Sequence, residues 1–273
     1  VALAHSLSLR LPPPPLRAMS KRHALIVFGG NGFVGSAVCA AAVRRSVPVI
    51  SVSRSGVRPA HLQGGNGCWT DSVRWEKGDV LNPASYTKLL GEASAVVVSV
   101  GTPPVPTSDV AWQRRMNGET GVVVARTARA AGVARLVMVN ASMPAWLDIV
   151  AGGYAQGKRD AEAAAAAFVL QRPKALAVVL KPPAIYGTRH EVTPLGILPI
   201  PLGLLLGPVS ALLRLFSGVT SKLRAAAPYA FEGVLFAPVH VESVASAAVS
   251  HALDTLADGE VLVVGPEALL TFS

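Results

Sequence analysis

Three sets of residues in this chain have the types and spacing to do chemistry. The first is Gly29-Gly30-Asn31-Gly32-Phe33-Val34-Gly35, which follows the apolar run at 24–28 and precedes an Ala/Val-rich segment at 36–45. Glycines at 29, 32 and 35 permit a tight turn and close approach of a ligand to the main chain. A helix opening there offers unpaired N–H groups and a positive dipole end to a pyrophosphate. Strand, glycine turn, helix and a second strand at 48–53 make a βαβ unit, the context in which this spacing indicates dinucleotide binding. The second set is Ser53-Arg54-Ser55 at the end of that second strand, where NAD-specific folds carry an acid for the ribose hydroxyls. Arg54, with Ser53 and Arg58, would instead suit a 2′-phosphate, which favours NADP(H) over NAD(H). Asp79, ending the third strand, is placed either to meet the adenine or to cap a turn. Gly101, just beyond the strand at 95–100, completes the cofactor-binding candidates.

The third set lies downstream and comprises Asn117, Ser142, Tyr154 and Lys158. Tyr154 and Lys158 stand at i and i+4, so on a helix they share a face. The ammonium would then lower the phenol pKa and hold the nicotinamide ribose while Ser142 orients a carbonyl.

The elements needed to position these groups follow from hydrophobic patterning. Short apolar runs predict strands at 24–28, 48–53, 72–76, 95–100, 135–141, 175–181 and 261–264, and helices are expected at 36–45, 83–90, 118–131, 158–169 and 242–256. Strand and helix in alternation imply an α/β fold with a doubly wound parallel sheet of the Rossmann type. The expected organisation is a basic Pro-rich arm at 1–23, a nucleotide-binding domain at 24–190, an apolar insertion at 191–235 and a return to the core at 236–273.

Composition narrows the function classes. The chain has 273 residues, 51% of them hydrophobic and 15% charged, with a mean hydropathy of +0.45, which excludes an intrinsically disordered protein. Two cysteines, Cys39 and Cys68, without CxxC or Cys/His spacing indicate neither a disulfide scaffold nor a metal site, and they suit a reducing compartment. The net charge of +9 is uneven: eight Lys/Arg and no acid precede Asp71, leaving 17 basic against 16 acidic residues from there on. No nucleic-acid-binding motif accompanies the charge, so nucleic acid is not expected as a partner. Residues 1–23, with Ser, Leu, Arg, no acids and the run Pro12 to Pro15, have the composition of an organelle-targeting arm, mitochondrial or plastid. From Val192 to Leu213 there is no charge. Pro194, Pro199, Pro201 and Pro208 argue against a membrane span. The segment is read as a lid over an apolar substrate, as a surface for membrane or partner subunits with Lys222 and Arg224 beside it, or as packing of a small subdomain.

In their order along the chain, GGNGFVG, the Ser142/Tyr154/Lys158 set, VLKPPAIYG at 179–187 and VHVESVA at 239–245 resemble the short-chain dehydrogenase/reductase superfamily, in its extended or atypical branch, over residues 22–265. Within that branch VFGGNGFVG, SVSRSG at 51–56 and IYGTRH at 185–190 are similar to the mitochondrial atypical members associated with ubiquinone biosynthesis, and to the related accessory subunit of respiratory complex I. The resemblance implies Tyr154 as proton donor, Lys158 as its tuner, Ser142 as substrate-orienting group and Asn117 as the fourth member. Where the family commonly has Arg-Pro-Gly this chain has Lys181-Pro182-Pro183, which removes a backbone donor beside the expected nicotinamide pocket and speaks against turnover. The favoured expectation is therefore an accessory subunit on the matrix side of the mitochondrial inner membrane, with a plastid as the alternative location. It would hold NADP(H) mainly for structure and contact protein subunits, with peripheral membrane contact through 192–219. The alternative is an NADP(H)-dependent oxidoreductase acting on a hydrophobic, quinone-related substrate.

Overall fold

The computed structural model describes residues 23–62, 68–193, 196–227, 235–254 and 259–272, so the expected basic arm falls, but for His23, outside the described residues. Seven of the apolar runs form strands of one parallel sheet: β1 (Ala24–Phe28), β2 (Val49–Ser53), β3 (Val73–Lys77), β4 (Ala93–Val98), β5 (Arg135–Val139), β6 (Leu176–Leu180) and, last in the chain, β11 (Val261–Val264). Their order is β11-β6-β5-β4-β1-β2-β3, and β1 pairs in parallel with β2 on one side and with β4 on the other, with a register shift against β4 between Ala24 and Leu25. β1, β2 and β6 bury every residue, as a sheet covered on both faces requires.

Alternate side chains supply two cores. Leu25, Val27, Ala95, Val97, Val178 and Leu180 face α1 (Phe33–Arg44) and α8 (Val241–Leu253). Ala24, Ile26, Phe28, Val96, Val98 and Val179 face α3 (Thr120–Ala130) and α5 (Gly152–Val169). Each strand thus works as a double-sided wedge with a period of two.

Some elements depart from the expectation. The helix expected at 83–90 is instead two 3₁₀ turns, Pro83–Ser85 and Leu89–Glu92. Ser85 Oγ donates to Asn82 O at 2.7 Å, Thr87 Oγ1 to Pro83 O at 2.7 Å and the buried Tyr86 hydroxyl to Val80 O at 3.2 Å. These side-chain bonds hold tight turns in place of a regular helix. The helix expected from 118 begins at α2 (Val110–Arg114), where Asp109 caps the first turn by accepting from Trp112 N at 2.8 Å, and it passes through a π turn, Arg115–Glu119, into α3. The helix expected from 158 likewise starts at Gly152, preceded by the single turn α4 (Leu147–Val150).

The described residues of the apolar insertion form a hairpin and two helices. β7 (Ile185–Tyr186) leads into an antiparallel pair, β8 (Thr188–Thr193) with β9 (Gly196–Pro201), then α6 (Leu202–Leu215) and α7 (Ser217–Ala226). β10 (Val239–His240) returns beside β7, and the chain then re-enters the sheet through α8 and β11, after which α9 (Pro266–Leu269) follows.

Candidate dinucleotide and substrate site

A cleft runs across the C-terminal ends of β1 to β6, where the strand order reverses between β1 and β4, the position at which doubly wound sheets bind ligands. It consists of two cavities that meet at Gly32 and at residues 99–102. The first, of about 710 Å³, is lined by Gly29, Gly32, Ser53, Arg54, Asp79 and Gly101 among others. The second, of about 640 Å³, is lined by Phe33, Val34, Asn117, Ser142, Tyr154 and Lys158 among others. Of the expected site residues, Gly35 and Arg58 are absent from both linings; Gly35 sits beneath the glycine turn.

The turn is built for close approach. Gly29 has φ +83°, and a Cβ at Gly35 would collide with the Gly29 carbonyl oxygen. Gly32 N donates to Gly29 O at 2.9 Å to close the turn. The first turn of α1 has no side-chain cap and no acidic residue, so its N–H groups and dipole are available to an anion. A Cβ at Gly101 would lie 2.8 Å from Asn117 Oδ1, which keeps that loop close to the π turn. These features fit a dinucleotide pyrophosphate, with the adenosine half toward Arg54 and Asp79.

Arg54 is exposed at the rim of the first cavity, and Ser53, largely buried, accepts from Gly56 N at 3.2 Å. Arg58 does not join them. It is held by Thr70 Oγ1 at 3.0 Å and by the Asp71 carboxylate at 2.5 Å, which draws the guanidinium outside the cavity lining. Asp79 caps a turn, its Oδ1 accepting from Leu81 N at 3.0 Å, and it also lines the cavity.

In the second cavity the π turn aims Asn117 inward. The buried amide accepts from Thr102 N at 3.0 Å and donates to Thr102 Oγ1 at 2.8 Å and to Gln113 O at 2.9 Å, tying the loop after β4 to the helix. Buried Gln113 in turn accepts from Tyr154 N at 3.0 Å and donates to Val105 O at 2.8 Å. Sequence reading missed Gln113; the Ser108-Asp109 capping signal, which starts the helix early enough to include it, would have revealed it.

Lys158 lies along the same face of α5 as Tyr154, with Nζ 5.5 Å from the ring centroid, and donates to Val139 O at 3.2 Å. Burial pushes Lys158 down to about 8 and Tyr154 up to about 12. The expected lowering of the phenol pKa therefore does not occur in the protein by itself. Desolvation of a 7% exposed ring outweighs a neighbouring ammonium that is itself weakened by burial. Ser142 is fixed through its backbone N–H, which donates to Pro182 O at 2.8 Å, and Pro183 lines the cavity beside it. Trp146, Leu202, Arg189 and His190 also line the cavity, and the His190 ring stacks on His61 at 4.3 Å between centroids. Among the described residues no cluster of His, Cys, Asp or Glu has the grouping of a metal site.

Comparison with known proteins agrees with this geometry. The NAD(P)H-binding family model matches residues 29–184. An uncharacterized chloroplastic protein of Arabidopsis thaliana is 33% identical over 245 residues, covering 89% of this chain and 75% of its own length. MIOREX complex component 2 of Saccharomyces cerevisiae is 46% identical over 77 residues, 28% of each chain. Among solved structures, UDP-glucose 4-epimerase from Bifidobacterium longum in complex with NAD+ and UDP superposes with a TM-score of 0.59 at 17% identity, covering 89% of this chain and 77% of that one. The Thermotoga maritima UDP-glucose 4-epimerase with UDP-glucose gives a TM-score of 0.57 at 14% identity, over 88% and 76% of the two chains. These two share the fold.

Proposed function

Because the chain belongs to the NAD(P)H-binding family, of Rossmann fold, we propose that it is an organellar NADP(H)-dependent oxidoreductase of the short-chain dehydrogenase/reductase type, acting on an apolar carbonyl or alcohol. The single observation carrying this reading is that Asn117 from the π turn, Ser142 from the loop after β5, and Tyr154 and Lys158 from α5 converge on one cavity of about 640 Å³ whose wall also includes Trp146, Leu147, Ile185 and Leu202. A purely structural nucleotide has no need of an apolar chamber beyond these residues. The glycine turn and α1 would hold the pyrophosphate, Arg54 a 2′-phosphate and Lys158 the nicotinamide ribose; the bound nucleotide supplies the hydride. Tyr154, kept protonated by burial, is suited to give its proton to a substrate oxygen, which matches the reducing direction. Organellar location rests on the chloroplastic and MIOREX names of the relatives.

A second reading is favoured by Pro183 in the cavity wall and by the exposed apolar helices described below. In it the chain is an accessory subunit of an organellar membrane assembly, of the complex I kind in a mitochondrion, and retains NADP(H) for structure. Purified full-length protein distinguishes the two. The first reading expects exchangeable NADP(H) and oxidation of NADPH by an alkyl-substituted quinone or apolar aldehyde, with turnover lowered about 100-fold or more in Tyr154→Phe while nucleotide binding persists. Stoichiometric NADP(H) that survives purification without exchanging, together with no turnover, would support the second reading and overturn the first.

A further inference from the structure

α6 and α7 invert the usual arrangement of a surface helix, which hides its apolar stripe and shows its polar one. Three of their polar side chains, those of Ser210, Thr220 and Arg224, turn toward the protein. Ser210, 2% exposed, donates to Pro238 O at 2.8 Å; Thr220, 7% exposed, donates to Ser217 O at 3.1 Å. Arg224 reaches Leu235 O at 3.0 Å and Glu267 at 2.5 Å, with its guanidinium 4.1 Å from the Phe236 ring centre. Their apolar side chains point outward at helical spacing: Leu204, Leu212, Leu215, Phe216, Val219 and Leu223 are all more than two-fifths exposed, Leu204 at 79% and Leu215 at 77%. The two helices meet at 81°, and as a bent pair they have the length and composition of a membrane-entering segment, whereas no single helix among the described residues is long and apolar enough to cross.

Charge states which occupant this face fits. Between Glu191 and Glu232 the sequence has no acid but contains Arg214, Lys222 and Arg224. Arg214 and Lys222 are exposed on the same two helices. A protein groove for such a face would be matched by a mixed polar rim, whereas an apolar wedge whose own exposed charges are Arg214 and Lys222 matches an anionic bilayer leaflet. We propose that α6 and α7 form a wedge that lies in the interface of a negatively charged membrane, Leu212, Leu215, Phe216 and Val219 entering the acyl boundary while Arg214 and Lys222 meet headgroup phosphates. Leu202, the first residue of α6, lines the second cavity, so the docked wedge sets the mouth of the chamber at the membrane surface. Docking is independent of the nucleotide reading. Combined with it, docking makes the substrate class a molecule dissolved in the bilayer.

The test is partition of the full chain onto vesicles of phosphatidylcholine mixed with phosphatidylglycerol, followed by flotation, with nucleotide titration of the same preparations. Expected is binding that Leu215→Asp with Phe216→Ser weakens at least about tenfold, that Lys222→Ala weakens about fivefold on anionic vesicles, and that leaves nucleotide affinity unchanged throughout. Absence of partition by a chain that binds nucleotide would overturn the docking proposal and leave the enzyme reading intact. A concentration-dependent dimer dispersed by the same two substitutions, without vesicle binding, would also overturn it and assign the face to a second copy. Loss of nucleotide binding with partition retained would count against the enzyme reading alone.

Discussion

Among the described residues the buried ammonium of Lys158 has no carboxylate partner, and its replacement by methionine offers a quantitative test of its burial. Its pKa falls from 10.5 in the unfolded chain to about 8 in the folded protein because burial removes water from the ammonium. Below pH 8 both states carry the proton and the cost of burial is present in full. As pH rises from 8 toward 10.5 the folded protein sheds the proton while the unfolded chain keeps it, so stability increases with pH. At about 1.36 kcal/mol per unit, the lysine costs the empty protein about 3 kcal/mol at pH 7 and roughly 1 kcal/mol at pH 9.5. Lys158→Met keeps an unbranched side chain of similar length and removes that cost. Losing the bond to Val139 O returns about 1 kcal/mol, for a net gain of roughly 2 kcal/mol at pH 7. Thermal unfolding of the nucleotide-free protein followed by circular dichroism is expected to show a midpoint about 5 °C higher in the variant at pH 7, with the gap closing by pH 9.5. Nucleotide affinity should fall in the same variant, since the ribose loses its ammonium. A variant less stable than the parent at pH 7, or a gap that does not change with pH, would show that Lys158 is not an uncompensated buried cation and would refute the reasoning.

The nucleotide cleft yields further expectations. Arg54→Asp, at an exposed position, should leave the melting temperature unchanged and weaken NADP(H) about 10- to 100-fold with little loss of NAD(H), as isothermal titration would measure; an unaltered preference would remove Arg54 from the 2′-phosphate site. Gly35→Ala places a methyl group against the Gly29 carbonyl and should cost about 1–3 kcal/mol in urea unfolding while weakening both nucleotides. Asn117→Ala strands Thr102 N and Gln113 O and should cost about 2 kcal/mol, with faster hydrogen exchange in the loop after β4 as the local sign.

The sheet was legible because a strand buried on both faces is written as an unbroken apolar run, and a run such as ALIVF or LAVVL has no competing interpretation between a glycine turn and a polar loop. The glycine fingerprint was legible for a related reason: spacing and steric need coincide there. Less could be read where conformation depends on side chains bonding back to the main chain. At 83–90 the Ser85, Tyr86 and Thr87 hydroxyls decide for 3₁₀ turns, and apolar periodicity does not register them. The π turn that aims Asn117 follows from packing of the helix against α5, where Gly118 lies so close to Gly157 that a Cβ would come within 2.7 Å of its backbone. No pattern in the segment itself reports that contact. For Tyr154 and Lys158 a shared helix face was readable from an i, i+4 spacing, whereas the direction of the phenol's shift depended on burial, a property of the whole fold. The apolar insertion showed its composition plainly, but which face of each helix would look outward was hidden until Ser210 and Thr220 were seen turned inward.

The position of β11 has a consequence for how the chain is made. β6 lies inside the sheet only because Val261–Val264 pairs along its free side, Val261 opposite Ala177 and Val264 opposite Leu180. During synthesis β6 emerges long before that partner, and throughout production of the insertion and α8 it carries an open ladder of N–H and C=O groups bearing five consecutive apolar side chains. A newborn chain in this condition is adhesive toward its neighbours on the same polysome. Premature termination anywhere between Leu180 and Val261 would release that edge permanently, so truncated products of this protein should accumulate as aggregates even though the nucleotide fingerprint upstream is already complete.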